Sequence, residues 1–144
     1  MLLTDVNVLI YAFRRESPNH EAYRQWLRAR LRGPEPFAVS ELVLSSVMRI
    51  VTNHRIYKDP TAPALALSFC NAVRGAPASI PVRPGPGHWR VFAELCAATG
   101  ARGNAVPDAY VAALAIEQGA TWVTLDADFR RFPGLTVAAP FDAG

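Results

Sequence analysis

Residues 104–132 read NAVPDAYVAALAIEQGATWVTLDADFRRF, and the fold turns on this stretch. Pro107 and Gly119 bracket an almost uncharged run. Proline suits the first turn of a helix, where its missing N–H costs nothing, and glycine suits the residue just past the end. A helix is therefore expected from Pro107 to Gly119, with Asp108 in its first turn. Thr121-Trp122-Val123-Thr124 follows, a continuous β-prone run of the kind a strand covered on both faces requires. That strand, expected over Thr121 to Leu125, opens onto Asp126 and Asp128. Three carboxylates thus stand at the ends of elements too apolar to lie at the surface, where an acid needs a partner.

The same arrangement recurs toward the amino terminus. Leu2-Leu3-Thr4 reads as a buried strand ending at Asp5, and Val6 to Phe13 then turns helical. Phe37-Ala38-Val39 is a second strand, after which Ser40 caps a helix beginning at Glu41. Leu44, Val47, Met48 and Val51 of that helix follow the i, i+3, i+4, i+7 core pattern. An acid in a first helical turn is favoured by the helix dipole, so Glu41 needs no further reason to be there. Asp5 could equally serve only as a helix cap. Asn7, two residues on, can hydrogen-bond the Asp5 carboxylate or a water beside it.

The remaining elements complete an alternating pattern. His20 to Leu31 is expected as a helix capped by Asn19, with Tyr23, Trp26, Leu27 and Leu31 as its apolar stripe. Arg24, Arg28 and Arg32 recur at four-residue spacing on another face, where like charges cost a few tenths of a kcal/mol per pair. Such a row serves either a partner or solvent. Leu65 to Val73 reads as a helix. Ile80-Pro81-Val82 reads as an edge strand, because proline excludes a central one. His88 to Thr99 reads as a helix with Trp89, Phe92, Leu95 and Cys96 facing inward. Ala98 to Asn104 is a small-residue loop, and Thr136 to Ala138 a last strand. Strands alternating with helices imply an α/β fold with a mostly parallel sheet covered on both faces.

Composition narrows the setting. A chain of 144 residues, half hydrophobic and 19% charged, is expected to form one globular domain over 1–144. That length buries roughly 70% of the unfolded surface. Cys70 and Cys96 stand far apart with no CxxC or Cys/His pairing, which points to reduced thiols and away from zinc or a disulfide. The apolar start carries Asp5 and Asn7 and lacks a basic leader, and no run is long enough for a membrane span. A cytoplasmic protein without membrane contact is expected.

Charge is informative once divided. Fifteen basic and twelve acidic residues give a net +3. Setting aside Asp5, Glu41, Asp108, Asp126 and Asp128 leaves seven acids against the same fifteen bases, a net of +8. If those five converge, an anionic pit lies in a cationic body, which suits a divalent metal in the pit and a polyanion around it. In a right-handed doubly wound sheet, strand carboxyl ends and the following helix starts share one edge. Two carboxylates ~4 Å apart repel by about 4 kcal/mol at an effective dielectric of 20, so a cluster stays ionised only around a cation. Hard oxygen ligands without Cys or His select Mg2+, or Mn2+ in its place, over zinc. No Ser-His-Asp set, phosphate-binding GxxxxGK loop or GxGxxG fingerprint competes for the role, and the histidines form no ligand-like spacing.

Four segments carry a family resemblance: DVNVLIYAF from Asp5, SELVLSSVMRIVTN from Ser40, NAVPDAYVAALA from Asn104 and TLDADF from Thr124. In that order, and spanning the chain, they resemble a PIN-domain ribonuclease of the VapC type, the toxin of a toxin–antitoxin pair. Each motif is weak by itself, and the set is specific. The resemblance implies a PIN-like three-layer α/β/α fold and a Mg2+-dependent endoribonuclease acting on RNA. It implies a homodimer and a cognate antitoxin of the VapB type. It matches Asp5, Glu41, Asp108 and Asp126 to the family's acidic quartet, and Asp128 to the accessory acid of its D-x-D-F turn. Asp5, Asp108, Asp126 and Asp128 are the implied metal ligands, and Asn7, Thr124 and Asn104 match supporting polar positions. Arg14, Arg24 and Arg28 are candidates for holding RNA or antitoxin. Ser45-Ser46 stands where many relatives have glycine.

Other assignments fit less well. A receiver-type signalling domain also binds Mg2+ at strand ends, but it needs a lysine after a late strand, and Lys58 is the only lysine. A haloacid-dehalogenase-type phosphatase needs Asp-x-Asp after the first strand, where this chain has Asp5-Val6-Asn7. A catalytically inactive PIN module that binds RNA or protein is the remaining alternative, and the intact acids argue against it.

Overall fold

A computed structural model describes residues 1–142, so the last two residues of the expected 1–144 domain lie outside the described part. Five short strands, β1 (Leu2–Thr4), β2 (Phe37–Val39), β3 (Ser79–Pro81), β4 (Thr121–Val123) and β5 (Val137–Ala138), form one sheet in the order β3-β2-β1-β4-β5. All four pairings are parallel. The helices are α1 (Val6–Phe13), α2 (His20–Arg32), α3 (Glu41–Val51), α4 (Pro63–Arg74), α5 (His88–Thr99) and α6 (Ala105–Gln118). Crossovers in a parallel sheet are right-handed. Connections from β1 outward to β3 therefore leave their helices on one face, and the return through α5 and α6 to β4 covers the other. This is the three-layer α/β/α arrangement expected.

Parallel strands buried on both faces need apolar residues throughout, and β1, β2 and most of β4 have them. Trp122, Phe37, Leu3, Leu9 and Leu114 are the largest side chains wholly removed from water. β3 lies at the sheet's edge and keeps Ile80 and Pro81 exposed, as the proline predicts. The strand order reverses direction between β1 and β4. In open α/β sheets, the crevice outside the carboxyl ends at such a reversal is where ligands bind.

Several local expectations are corrected. α6 begins two residues early, at Ala105, so Pro107 sits third in the first turn, still among the N–H groups no carbonyl reaches. β4 ends at Val123, although Thr124 still donates its N–H to the Ala138 carbonyl at 3.0 Å while its hydroxyl reaches a long-range partner. Asn19 precedes α2 in the left-handed region (φ 54°) with no side-chain capping bond, and Ser40 makes none to α3. Trp89 points outward at 69% exposure, because α5 buries Leu95 and His88 in its place. Ser45 and Ser46 both donate their hydroxyls to the Leu42 carbonyl, which satisfies them within the helix.

Candidate active site

The acids are positioned by ends of elements, as their sequence neighbours predict. Asp5 follows β1 and caps α1, its Oδ1 accepting from the Val6 N–H at 2.7 Å. Its own N–H donates to the Val123 carbonyl of β4 at 2.8 Å, which ties the two central strands together at the crevice. Asp5 Oδ2 accepts from the Thr124 hydroxyl at 2.6 Å. That same hydroxyl oxygen accepts the Asp126 N–H at 3.0 Å, and Asp126 Oδ1 accepts the Asp128 N–H at 2.9 Å. Thr124 is buried. It is the post through which residue 5 and residues 126–128 are held in register. Asp126 thereby caps a short 3-10 helix, Ala127–Arg131, that carries the rest of the D-x-D-F turn.

Burial is the main influence on Asp5. It pushes the carboxyl above its ordinary pKa, the Thr124 and Val6 hydrogen bonds pull it back, and the charges of Asp108 and Asp126 push it up again. Asp108, in the first turn of α6, is likewise raised by burial. Arg131 opposes the shift, and Asp126 and Asp128 add to it. Asp5 and Asp108, 103 positions apart in the sequence, thus both feel the charge of Asp126. Asp5, Glu41 and Asp108 also line one cavity of about 850 Å3, with Phe92, Tyr110 and Trp122 among its apolar walls.

Arginines occupy part of this carboxylate set. Arg131 Nη2 lies 3.2 Å from Asp108 Oδ2. Glu41 is met by Arg74 at 2.7 Å and by Arg83 at 3.9 Å. Among the described residues no three His, Cys, Asp or Glu side chains are drawn together closely enough to hold a metal ion as they stand. Two of the five acids, Glu41 and Asp108, thus face guanidinium groups that offset their charge. Neither Arg131, Arg74 nor Arg83 is singled out by the sequence reading. Arg131 lies within the stretch that decides the fold, but its partner is 23 residues away, and no local pattern reports that.

The supporting positions divide. Asn7 does not bond Asp5: its Oδ1 is buried without a partner. Asn104 is exposed at the start of α6 and makes no side-chain capping bond. Arg14, a candidate for holding RNA or antitoxin, is engaged within the chain. It pairs with Glu16, donates to the Asp59 carbonyl at 3.0 Å and the Thr61 hydroxyl at 2.9 Å, and lies 3.9 Å over the Tyr57 ring. Arg24 and Arg28 are exposed and line a second cavity, about 960 Å3, with Leu27, Leu65 and Phe69. None of the five acids lines it. His20 and His88 each bond a backbone carbonyl, of Tyr11 and Tyr110, and His54 is exposed, so the histidines stand apart from the acids as expected. Both cysteines are free.

Fold and site together define a doubly wound α/β protein with an acid-lined crevice at the reversal of its strand order. The chain belongs to the PIN-domain family, whose model matches residues 2–135. It is 40% identical to Ribonuclease VapC43 of Mycobacterium tuberculosis over 142 residues, 99% of this chain and 97% of that protein. It is 40% identical to Ribonuclease VapC25 of the same organism over 140 residues, 97% of this chain and 99% of that one. Among solved structures, VapBC2 from Rickettsia felis bound to a DNA fragment from its promoter has a TM-score of 0.71. That match covers 96% of this chain and 97% of the other at 21% identity, a likeness of fold.

Proposed function

We propose that the chain is a divalent-metal-dependent endoribonuclease, the toxin of a VapBC-type toxin–antitoxin pair, working in the cytoplasm as a single domain. One observation carries the reading: Asp5 and Asp108, far apart along the chain, line one cavity with Glu41, and the Thr124 hydroxyl joins Asp5 to Asp126 beside it. Relatives 40% identical over nearly the whole chain are named ribonucleases, which supports the same activity here.

The donor set fits Mg2+ or Mn2+, since every side chain in it offers hard oxygen. The buried, partnerless Asn7 Oδ1 fits as well, being an oxygen that a cation or its hydration shell can satisfy. In this reading Asp5 and Asp108 hold the ion directly, Asp126 joins them, and Asp128 is accessory. Glu41 acts through water once Arg74 and Arg83 release it, and Asn104 borders the RNA. When bound, the ion supplies Lewis-acid charge at the scissile phosphate and makes a nearby water a stronger nucleophile. Thr124 keeps Asp5 and Asp126 at fixed separation, and the carboxylates orient the attacking water. The basic remainder of the surface attracts RNA phosphates. The second cavity, with Arg24 and Arg28 over an apolar floor, suits an acidic and apolar segment of a VapB-type antitoxin, and a homodimer is the assembly proposed.

The test is cleavage of RNA by the purified chain with Mg2+, with EDTA, and with Asp5→Asn or Asp108→Asn. Cleavage is expected from the wild type with metal alone. Activity in EDTA, or in either variant, would remove the mechanism. RNA binding without cleavage in any condition would favour the inactive binding module.

A further inference from the structure

Arg131 is the group at the acidic crevice to which the function above gives no part. It closes the same 3-10 helix whose start presents Asp126 and Asp128, so its position is tied to theirs. Its guanidinium carbon lies 4.7 Å from the centre of the Phe132 ring, and Phe132 is buried. The ring gives the side chain a fixed shelf without consuming any N–H donor. One donor reaches Asp108 Oδ2 at 3.2 Å. The two side chains keep 36% and 34% of their surface exposed, so the contact opens toward solvent. Arg14 is the contrast: its donors are spent on Glu16, Asp59 and Thr61, and its side chain is only 11% exposed.

A guanidinium on Asp108 and a divalent ion on Asp108 compete for one carboxylate. An exposed pair of this kind is weak, and it lowers the affinity of a competing ion by about two- to fivefold. Once an ion is seated, Arg131 is repelled from the carboxylate but stays anchored beside the crevice by its helix and by Phe132. A phosphodiester brought to the ion then offers the guanidinium an anionic oxygen, and a planar fork of N–H donors suits phosphate better than a point charge does.

We infer that Arg131 alternates between two partners: the Asp108 carboxylate in the metal-free site, and a non-bridging oxygen of the scissile RNA phosphate once a divalent ion has taken its place. This rests on the ribonuclease reading above. In the first state Arg131 is a stand-in cation that holds the Asp108 carboxylate in place. In the second it touches the reacting group and stabilises the charge that builds on the phosphoryl oxygens, which makes it a catalytic residue. The two roles pull metal affinity and cleavage rate in opposite directions, and no purely structural role does so.

The experiment compares wild type, Arg131→Gln and Arg131→Lys. Mn2+ affinity is read by electron paramagnetic resonance without RNA, and single-turnover cleavage is read at saturating Mg2+. For R131Q the expected result is Mn2+ bound about two- to fivefold more tightly. Cleavage should be slower by about a hundredfold, with little change in RNA affinity. R131K, which keeps the charge and loses the fork, should recover part of the rate. Thermal melting shows whether each variant is folded. Weaker Mn2+ binding in a folded R131Q, or an undiminished cleavage rate, overturns the proposal. If R131Q does not fold, R131K carries the test: its cleaving as fast as wild type overturns the proposal too. A wild type that neither binds Mn2+ nor cleaves RNA removes the underlying ribonuclease reading, and this proposal with it.

Discussion

Replacing Thr124 with valine removes one hydroxyl and keeps the shape of the side chain. In the folded protein that hydroxyl donates to the Asp5 carboxylate at 2.6 Å and accepts the Asp126 N–H at 3.0 Å, from a position 4% exposed. A hydrogen bond to a charged group contributes about 1.5–3 kcal/mol. The Asp126 N–H lies in a half-buried residue that water can reach, so its loss adds less than 1 kcal/mol at most by the same reckoning, and about 2–3 kcal/mol in all is expected for T124V. For a chain of this size each kcal/mol is about 2–4 °C, so the melting temperature should fall by about 4–12 °C. Thr124→Ser, which keeps the hydroxyl, should lose much less. The effect also has a pH signature. The Thr124 bond pulls the Asp5 pKa down, so it stabilises the ionised carboxylate in particular. Its contribution is fully present at neutral pH and fades as acid protonates Asp5, and the difference between T124V and wild type should shrink with it. Urea titrations at neutral and acid pH measure both quantities. A T124V protein within 0.5 kcal/mol of wild type at neutral pH, or a T124S protein as unstable as T124V, would refute the reasoning that Thr124 holds the two ends of the site together.

Two further outcomes follow from the same geometry. Asp108→Asn should raise the melting temperature at neutral pH while abolishing cleavage. Burial raises the Asp108 pKa, so its ionised form opposes folding above the unfolded carboxylate range, and the gain should vanish in acid where both states are protonated. Gly119→Ala should cost about 1–2 kcal/mol in a urea titration. The cause is the backbone, which is left-handed there (φ 66°), since nothing lies within 4 Å of an added Cβ.

Much of the architecture is written locally. Pro107 and Gly119 mark α6 because proline and glycine restrict the backbone whatever surrounds them. Leu2–Thr4 and Phe37–Val39 read as buried strands because no other use of such short apolar runs fits the alternation with helices. Asp5, Glu41, Asp108 and Asp126 fall at element ends, and a parallel sheet sends those ends to one edge by topology, so the convergence of Asp5, Glu41 and Asp108 on one cavity follows from order along the chain.

What each acid meets there was not legible, and the reason is physical. Hydrogen bonds and ion pairs form between side chains whose sequence separation carries no periodicity: Thr124 reaches back 119 residues to Asp5, and Arg74 crosses 33 to Glu41. Nothing local shows that Arg14 meets the loop at residues 57–61, and Trp89 reads as core until α5 turns another face inward. The sequence alone determined the class of fold, because backbone preference and apolar spacing act over a few residues, and its four motifs carried the likeness to a family of ribonucleases. Only the tertiary structure decided that arginines stand against two of the acids and that a threonine joins two others, because those choices are made by packing across the whole chain.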